Sequence, residues 1–192
     1  MIIGLTGGMG CGKSTAARMI EAAGYRRIDS DALVRECILP DAEVVALAEA
    51  RWGKAVLDAQ GKIDRKALAS KVFNDDSERE TLENWVHPRL YILWRRQLQE
   101  DESGNWVIEV PLLFEQKLEN WFDFILCVAS SADVQLARLS ERGISHTLAG
   151  QRISKQMPLN RKLELADMVL WNDGSLSFLQ QQIDQALTEI AA

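Results

Sequence analysis

Ile2-Ile3-Gly4-Leu5-Thr6, followed without a break by Gly7-Gly8-Met9-Gly10-Cys11-Gly12-Lys13-Ser14-Thr15, decides the fold. The first five residues read as a short buried strand. The next nine satisfy G-x-x-x-x-G-K-[ST], and Lys13 to Ala23 continues as an amphipathic helix. Strand, glycine-rich loop and helix in that order make a phosphate cradle. The glycines let successive N–H groups turn inward, and the helix start adds unpaired N–H groups and the positive end of its dipole. Gly10, Cys11, Gly12, Lys13, Ser14 and Thr15 are therefore the expected nucleotide-binding residues. Lys13 reaches the β and γ phosphates of a nucleoside triphosphate, and the Ser14 hydroxyl is placed to ligate Mg²⁺. Cys11, set between glycines, contributes its backbone N–H, since nothing nearby in sequence would activate its thiol.

Moving outward, apolar runs alternate with amphipathic stretches. Arg26 to Ile28, Trp106 to Val110, Phe122 to Val128 and Met168 to Trp171 complete five strand candidates. This alternation predicts an α/β fold with a mostly parallel five-stranded sheet flanked by helices, and ligands at the carboxyl ends of its strands. A long helical insertion separates the second strand from the third. In it Leu82, Trp85, Val86, Leu90, Leu93, Trp94 and Leu98 recur every three or four residues, with Pro88 expected to start or kink a helix. The final helix carries the stripe Leu176, Leu179, Ile183, Leu187 and Ile190, expected to lie on the sheet.

The 192 residues suffice for a full core without disulfide or metal staples, burying roughly 70% of the unfolded surface. The longest apolar run, Phe124 to Ala129, is too short to span a membrane, and the opening residues lack a secretory leader, so a cytoplasmic protein is expected. Three cysteines without C-x-x-C spacing fit a reducing compartment. The net charge of -6 hides an asymmetry. Arg138 to Lys162 holds six basic residues (Arg138, Arg142, Arg152, Lys155, Arg161, Lys162) against Glu141 alone. Such a basic island in an acidic body suits a small polyanion and not a nucleic acid. Lys155, Arg161 and Lys162 read as surface charges.

The cradle by itself indicates only nucleoside triphosphate binding. The N-K-x-D base reader of regulatory GTPases is absent, and Asp58-Ala59-Gln60-Gly61 reads as a turn. A small-molecule kinase is favoured over a nucleotide switch. Ile28-Asp29-Ser30-Asp31 places two carboxylates after the second strand. Transfer to a hydroxyl needs a group that orients the alcohol and takes its proton, a role that falls to Asp31, with a helix N-cap as the structural alternative.

The chain resembles the dephospho-coenzyme A kinase family. The resemblance is carried by the P-loop, Ile28-Asp29-Ser30-Asp31, Gly61-Lys62-Ile63-Asp64-Arg65, His87-Pro88 and Val110-Pro111-Leu112-Leu113-Phe114-Glu115. It continues through Gln135-Leu136-Ala137-Arg138-Leu139 with Arg142, Arg152-Ile153, Ala166-Asp167 and Asn172-Asp173-Gly174-Ser175. It implies ATP- and Mg²⁺-dependent phosphorylation of the ribose 3′-hydroxyl of dephospho-coenzyme A, with no obligate protein partner. Another P-loop small-molecule or nucleoside monophosphate kinase is the alternative. It further implies a P-loop kinase core over 1–31, 101–137 and 163–192, a helical acceptor-binding insertion over 32–100 and a small lid over 138–162. By similarity, Arg138 lies on the adenine, Arg142 contacts the triphosphate during catalysis beside Lys13 and Asp31, and Asn172 lies in the adenine loop. Arg65 and His87 are acceptor-side residues, although His87 beside tryptophan-bearing helical stretches also fits a structural hydrogen-bonder. Glu109 sits inside its apolar run, which leaves metal ligation beyond Ser14 open.

Overall fold

The computed structural model describes residues 1–73 and 75–191. β1 (Ile2–Gly7) is followed by α1 (Lys13–Ala22), β2 (Arg26–Asp29) and the short α2 (Ser30–Leu33), which runs into a π-helical turn, Val34–Ile38. α3 (Ala42–Trp52), α4 (Arg65–Phe73) and α5 (Asp76–Gln99) come next, then β3 (Trp106–Glu109) and β4 (Phe124–Ala129). α6 (Ala132–Glu141), α7 (His146–Ser154), α8 (Leu159–Leu165), β5 (Met168–Trp171) and α9 (Leu176–Ile190) complete the chain. The strands form one sheet in the order β2-β3-β1-β4-β5, and every pairing is parallel.

The chain divides into two compact units. The first, Met1–Asp29 with Ser103–Ala192, holds the sheet. Its central strand β1 is buried on both faces from Ile3 to Gly7, which explains a run of apolar residues with no alternation. Chain order reverses across β1, because β2 and β3 lie on one side and β4 and β5 on the other. The loop leaving β1 therefore emerges at the switch point where open α/β sheets bind ligands. Ile3, Leu5, Ala16, Ala17, Ile20, Val107, Leu126, Leu170, Leu179 and Ile183 fill the core. Each fully buried Leu or Ile contributes about 1.5–3 kcal/mol of transfer free energy. The α9 stripe is buried at Leu179, Ile183 and Ile190, but Leu176, the first residue of the helix, is 59% exposed.

The second unit, Ser30–Glu102, is helical. Asp41 and Asp75 cap α3 and α5, each accepting two backbone N–H groups, and Asp64 does the same at the start of α4. Ile38, Val44, Ala48, Leu68, Val86, Leu90 and Trp94 make its core, and Trp52 packs on Trp85 at 5.3 Å between ring centroids. Pro88 does not start a helix. It lies inside the 24 residues of α5, where its missing N–H deprives the Asn84 carbonyl of its intrahelical donor. The buried stripe along α5 carries the helix through that defect. Asp58 closes the expected turn, its carboxylate accepting the N–H groups of Gln60 and Lys62 at 2.9 Å each, while Leu57 bridges Ile63.

Candidate functional site

In the first unit the cradle follows from local backbone chemistry. β1 ends at Gly7, and α1 starts at Lys13 with Gly12 as its N-cap at φ 94° and no side chain capping it. The helix start thus keeps donors available for an anion. Lys13 Nζ donates to the carbonyls of Gly7 (3.0 Å) and Gly8 (3.1 Å), which folds the ammonium over the loop. Ser14 is exposed in the first turn, and the Thr15 hydroxyl accepts from Arg18 at 3.5 Å. Gly10 is buried at φ 82°.

Cys11 is fully buried, and burial pushes its thiol pKa up against the opposing influence of Lys13. Its carbonyl accepts Asn172 Nδ2 at 2.8 Å and Arg138 Nη1 at 3.4 Å. Because carbonyl and following N–H point oppositely across a planar trans peptide, this grip turns the Gly12 N–H away from Asn172 and Arg138. The fit is close: a Cβ on Gly12 would overlap Asn172 Nδ2.

Arg138, in the last turn of α6, also donates to the Asn172 carbonyl (2.8 Å) and to Ser130 Oγ (3.1 Å). Ser130 Oγ donates in turn to the Asn172 carbonyl at 3.0 Å, and Gln135 Nε2 to the Ser130 carbonyl at 2.9 Å. Ser130 and Gln135 are buried members of the P-loop scaffold; Gln135 opens one of the stretches that carry the resemblance, whereas Ser130 lies outside all of them. The Asn172 side chain lies under the loop. Its neighbour Asp173 accepts the Ser131 N–H, and Ser175 caps α9. Asn172 Oδ1 is buried and without a hydrogen-bond partner among the described residues. Arg142 is exposed at the C-cap of α6.

At the neighbouring strand ends, β3 stops at Glu109, so this acid ends its strand where the sequence places it inside a run. Glu109 lies opposite Asp29 in the β2–β3 register. Arg27 binds both, with Nε 2.7 Å and Nη2 2.6 Å from Glu109 Oε1, and Nη2 3.2 Å from Asp29 Oδ2. No group of three or more His, Cys, Asp and Glu side chains among the described residues is arranged to hold a metal. The exposed Ser14 hydroxyl is a suitable oxygen donor for Mg²⁺, an ion that takes most of its other ligands from phosphates and water.

The basic segment differs from its reading in sequence. Lys162 is no surface charge: it is fully buried, with Nζ 2.8 Å from both Glu115 Oε1 and the Pro111 carbonyl. The ammonium is buried because those oxygens replace its water. Arg161 is exposed and pairs with Glu164, and Lys155 is exposed at the C-cap of α7.

The remaining candidates lie in the second unit, on three different helices. Asp31 is exposed inside the first turn of α2, so it is not the N-cap; the helix begins one residue earlier, at Ser30. Its carboxylate still complements the positive end of the helix dipole. Arg65 is exposed at the first residue of α4. His87 is half-buried on α5 and stacks on Tyr91, with ring centroids 6.1 Å apart. Burial holds its pKa below the ordinary imidazole value, opposed by Glu83.

A dephospho-CoA kinase family model matches residues 1–177. The dephospho-CoA kinase of Thermosynechococcus vestitus is 36% identical over 188 residues, covering 97% of this chain and 93% of its own. That of Arabidopsis thaliana is 38% identical over 194 residues, covering 98% and 83% respectively. The crystal structure of a Thermus thermophilus protein superposes with a TM-score of 0.86 at 34% identity, covering 98% of this chain and 97% of that one.

Proposed function

The chain belongs to the dephospho-CoA kinase family, and on that premise we propose that it transfers the γ-phosphoryl group of ATP to the ribose 3′-hydroxyl of dephospho-coenzyme A. The products are coenzyme A and ADP. The observation that carries the nucleotide half of this reading is the uncapped start of α1, together with the Cys11 carbonyl held by Asn172 and Arg138. Backbone donors fixed before the ligand arrives cost no reorganisation when charge develops on the phosphates.

In this reading the N–H groups from Gly10 to Thr15 grip the phosphates. Lys13 exchanges its two carbonyl contacts for phosphate oxygens. Arg138 presents a guanidinium face to the adenine while its edge holds the loop, and Asn172 fixes the adjoining turn. Arg142 supplies charge to the transferring group. Asp31 orients the acceptor hydroxyl and accepts its proton as the O–P bond forms. Arg65 and His87 belong to the acceptor side. Mg²⁺, with Ser14 as its protein ligand, would neutralise charge on the β and γ phosphates when bound. The helical unit serves the acceptor, and 138–162 serves as a lid. We place the reaction in the cytoplasm. In support, no described helix is long and apolar enough to cross a membrane, and all three cysteines are free thiols.

An acceptor panel tests the proposal. With Mg-ATP, ADP release should be fast with dephospho-coenzyme A and slight with AMP, nucleosides or shikimate, and the product should carry a 3′-phosphate. Equal turnover of AMP would replace this reading with a nucleoside monophosphate kinase.

A further inference from the structure

Fully buried Lys162 and Glu115, whose side chain is 21% exposed, form an ion pair that no step of the proposed reaction uses. Lys162 is 0% exposed, and its ammonium contacts Glu115 Oε1 and the Pro111 carbonyl at 2.8 Å each. Glu115 Oε1 also accepts the N–H of Met157 at 2.9 Å. One carboxylate oxygen thus holds both ends of the turn from Met157 to Lys162, where the basic segment returns to the sheet. The carbonyl of Pro111 accepts the Thr6 hydroxyl at 3.4 Å as well, one residue before the P-loop begins. Between the two pinned ends lies Leu159, whose Cδ1 is 3.6 Å from where a Cβ on Gly8 would stand.

We propose that Lys162 and Glu115 are positioning residues for ATP. Through the Met157–Lys162 turn they hold α8 against the P-loop and fix the return end of the basic arm that carries Arg142 and Arg152. The energetics favour a positional role over a stabilising one. Desolvating two charges costs nearly as much as their attraction returns, so a buried pair is commonly replaceable by apolar side chains without loss of stability. Here Glu115 Oε2 is, in addition, buried without a hydrogen-bond partner among the described residues. A pair that contributes little to stability yet anchors three segments beside the cradle acts through geometry.

This inference rests on the kinase reading only in requiring ATP binding. Its test therefore reads nucleotide affinity by calorimetry, which does not depend on the acceptor; failure of the acceptor assignment would appear separately, in the unmodified protein. Lys162→Met and Glu115→Leu should each lower the thermal midpoint sharply, since each leaves an uncompensated polar group buried. The double variant should recover a midpoint near that of the parent and yet bind ATP about tenfold more weakly. Recovery of both stability and ATP affinity would reduce the pair to a structural element and overturn the proposal. Should the double variant fail to fold, Glu115→Gln carries the test, because its amide oxygen still accepts from both donors. ATP affinity within about twofold of the parent is expected there, and a loss equal to that of Glu115→Ala would overturn it.

Discussion

In the proposed reaction the two units would hold their ligands by different means. In the sheet unit the groups proposed to face the ligand are backbone amides of one continuous loop, whose Cys11 carbonyl is held by Asn172 and by Arg138, itself bound to Ser130. In the helical unit the candidates are side chains on α2, α4 and α5, each displayed by its own helix. A backbone cradle can be prepared before binding and tolerates little change in shape. Side chains on separate helices can be exchanged one at a time. The contrast predicts a division of labour: damage to the sheet unit appears in nucleotide affinity, and damage to the helical unit appears in turnover at unchanged nucleotide affinity.

The strongest way to break that division is Asp31→Asn. If Asp31 orients and deprotonates the acceptor hydroxyl, kcat should fall by about 10² to 10⁴ while the ATP Kd stays within about twofold. Steady-state kinetics combined with calorimetry decide this, and a parallel loss of ATP affinity would erase the distinction between the units. On the other side stands Gly12→Ala. Its φ of 94° costs an alanine roughly 1–2 kcal/mol, and the new methyl would meet Asn172 Nδ2. Since about 1.4 kcal/mol is tenfold, ATP affinity should fall about 5- to 30-fold if that cost falls on the binding-competent loop, with a thermal midpoint scan showing that the unliganded fold survives. Arg138→Ala sharpens the comparison within the sheet unit. It removes both a face for the base and a donor to the Cys11 carbonyl, and should weaken ATP by about 0.5–2 kcal/mol. Binding of inorganic tripolyphosphate separates the two losses: a purely base-stacking arginine would leave it unchanged.

The same contrast explains what was legible in the sequence. Gly7 to Thr15 is contiguous, its spacing is set by the geometry of one loop, and strand, loop and helix appear where the residues place them. β1, β3 and β4 were readable because parallel strands buried on both faces are apolar almost throughout, whereas β2, Arg26–Asp29, buries Ile28 alone. What braces the loop was not readable. Asn172 meets Cys11 across 161 residues, and nothing in Asn172-Asp173-Gly174 separates a turn from a buried clamp. Lys162 is harder still. Basic residues in an amphipathic helix ordinarily face water, and only the arrival of Glu115 and Pro111 makes its burial affordable. Leu176 errs in the other direction, since it keeps the apolar period of α9 but, at the first residue of the helix, stays exposed. Pattern reports which residues suit an interior, whereas partners distant in sequence determine which of them reach it.

The smallest expected effect tests the helical unit alone. Burial depresses the pKa of His87, so between the folded value and the unfolded value of 6.5 the unfolded chain holds a proton that the folded chain does not. Protonation there favours unfolding. The contribution of His87 to stability is therefore complete above pH 6.5 and is lost as the pH falls through that value toward the folded pKa. His87→Phe keeps an aromatic ring over Tyr91 and removes the proton site. Urea midpoints measured at about pH 7.5 and pH 5.5 should differ less in this variant than in the parent, if the neutral buried imidazole is responsible. His146, the other histidine, is exposed on α7 in the sheet unit and offers the control, because His146→Gln should leave the pH difference intact. A difference that disappears with His146 instead would move the pH response out of the helical unit and into the basic segment of the sheet unit.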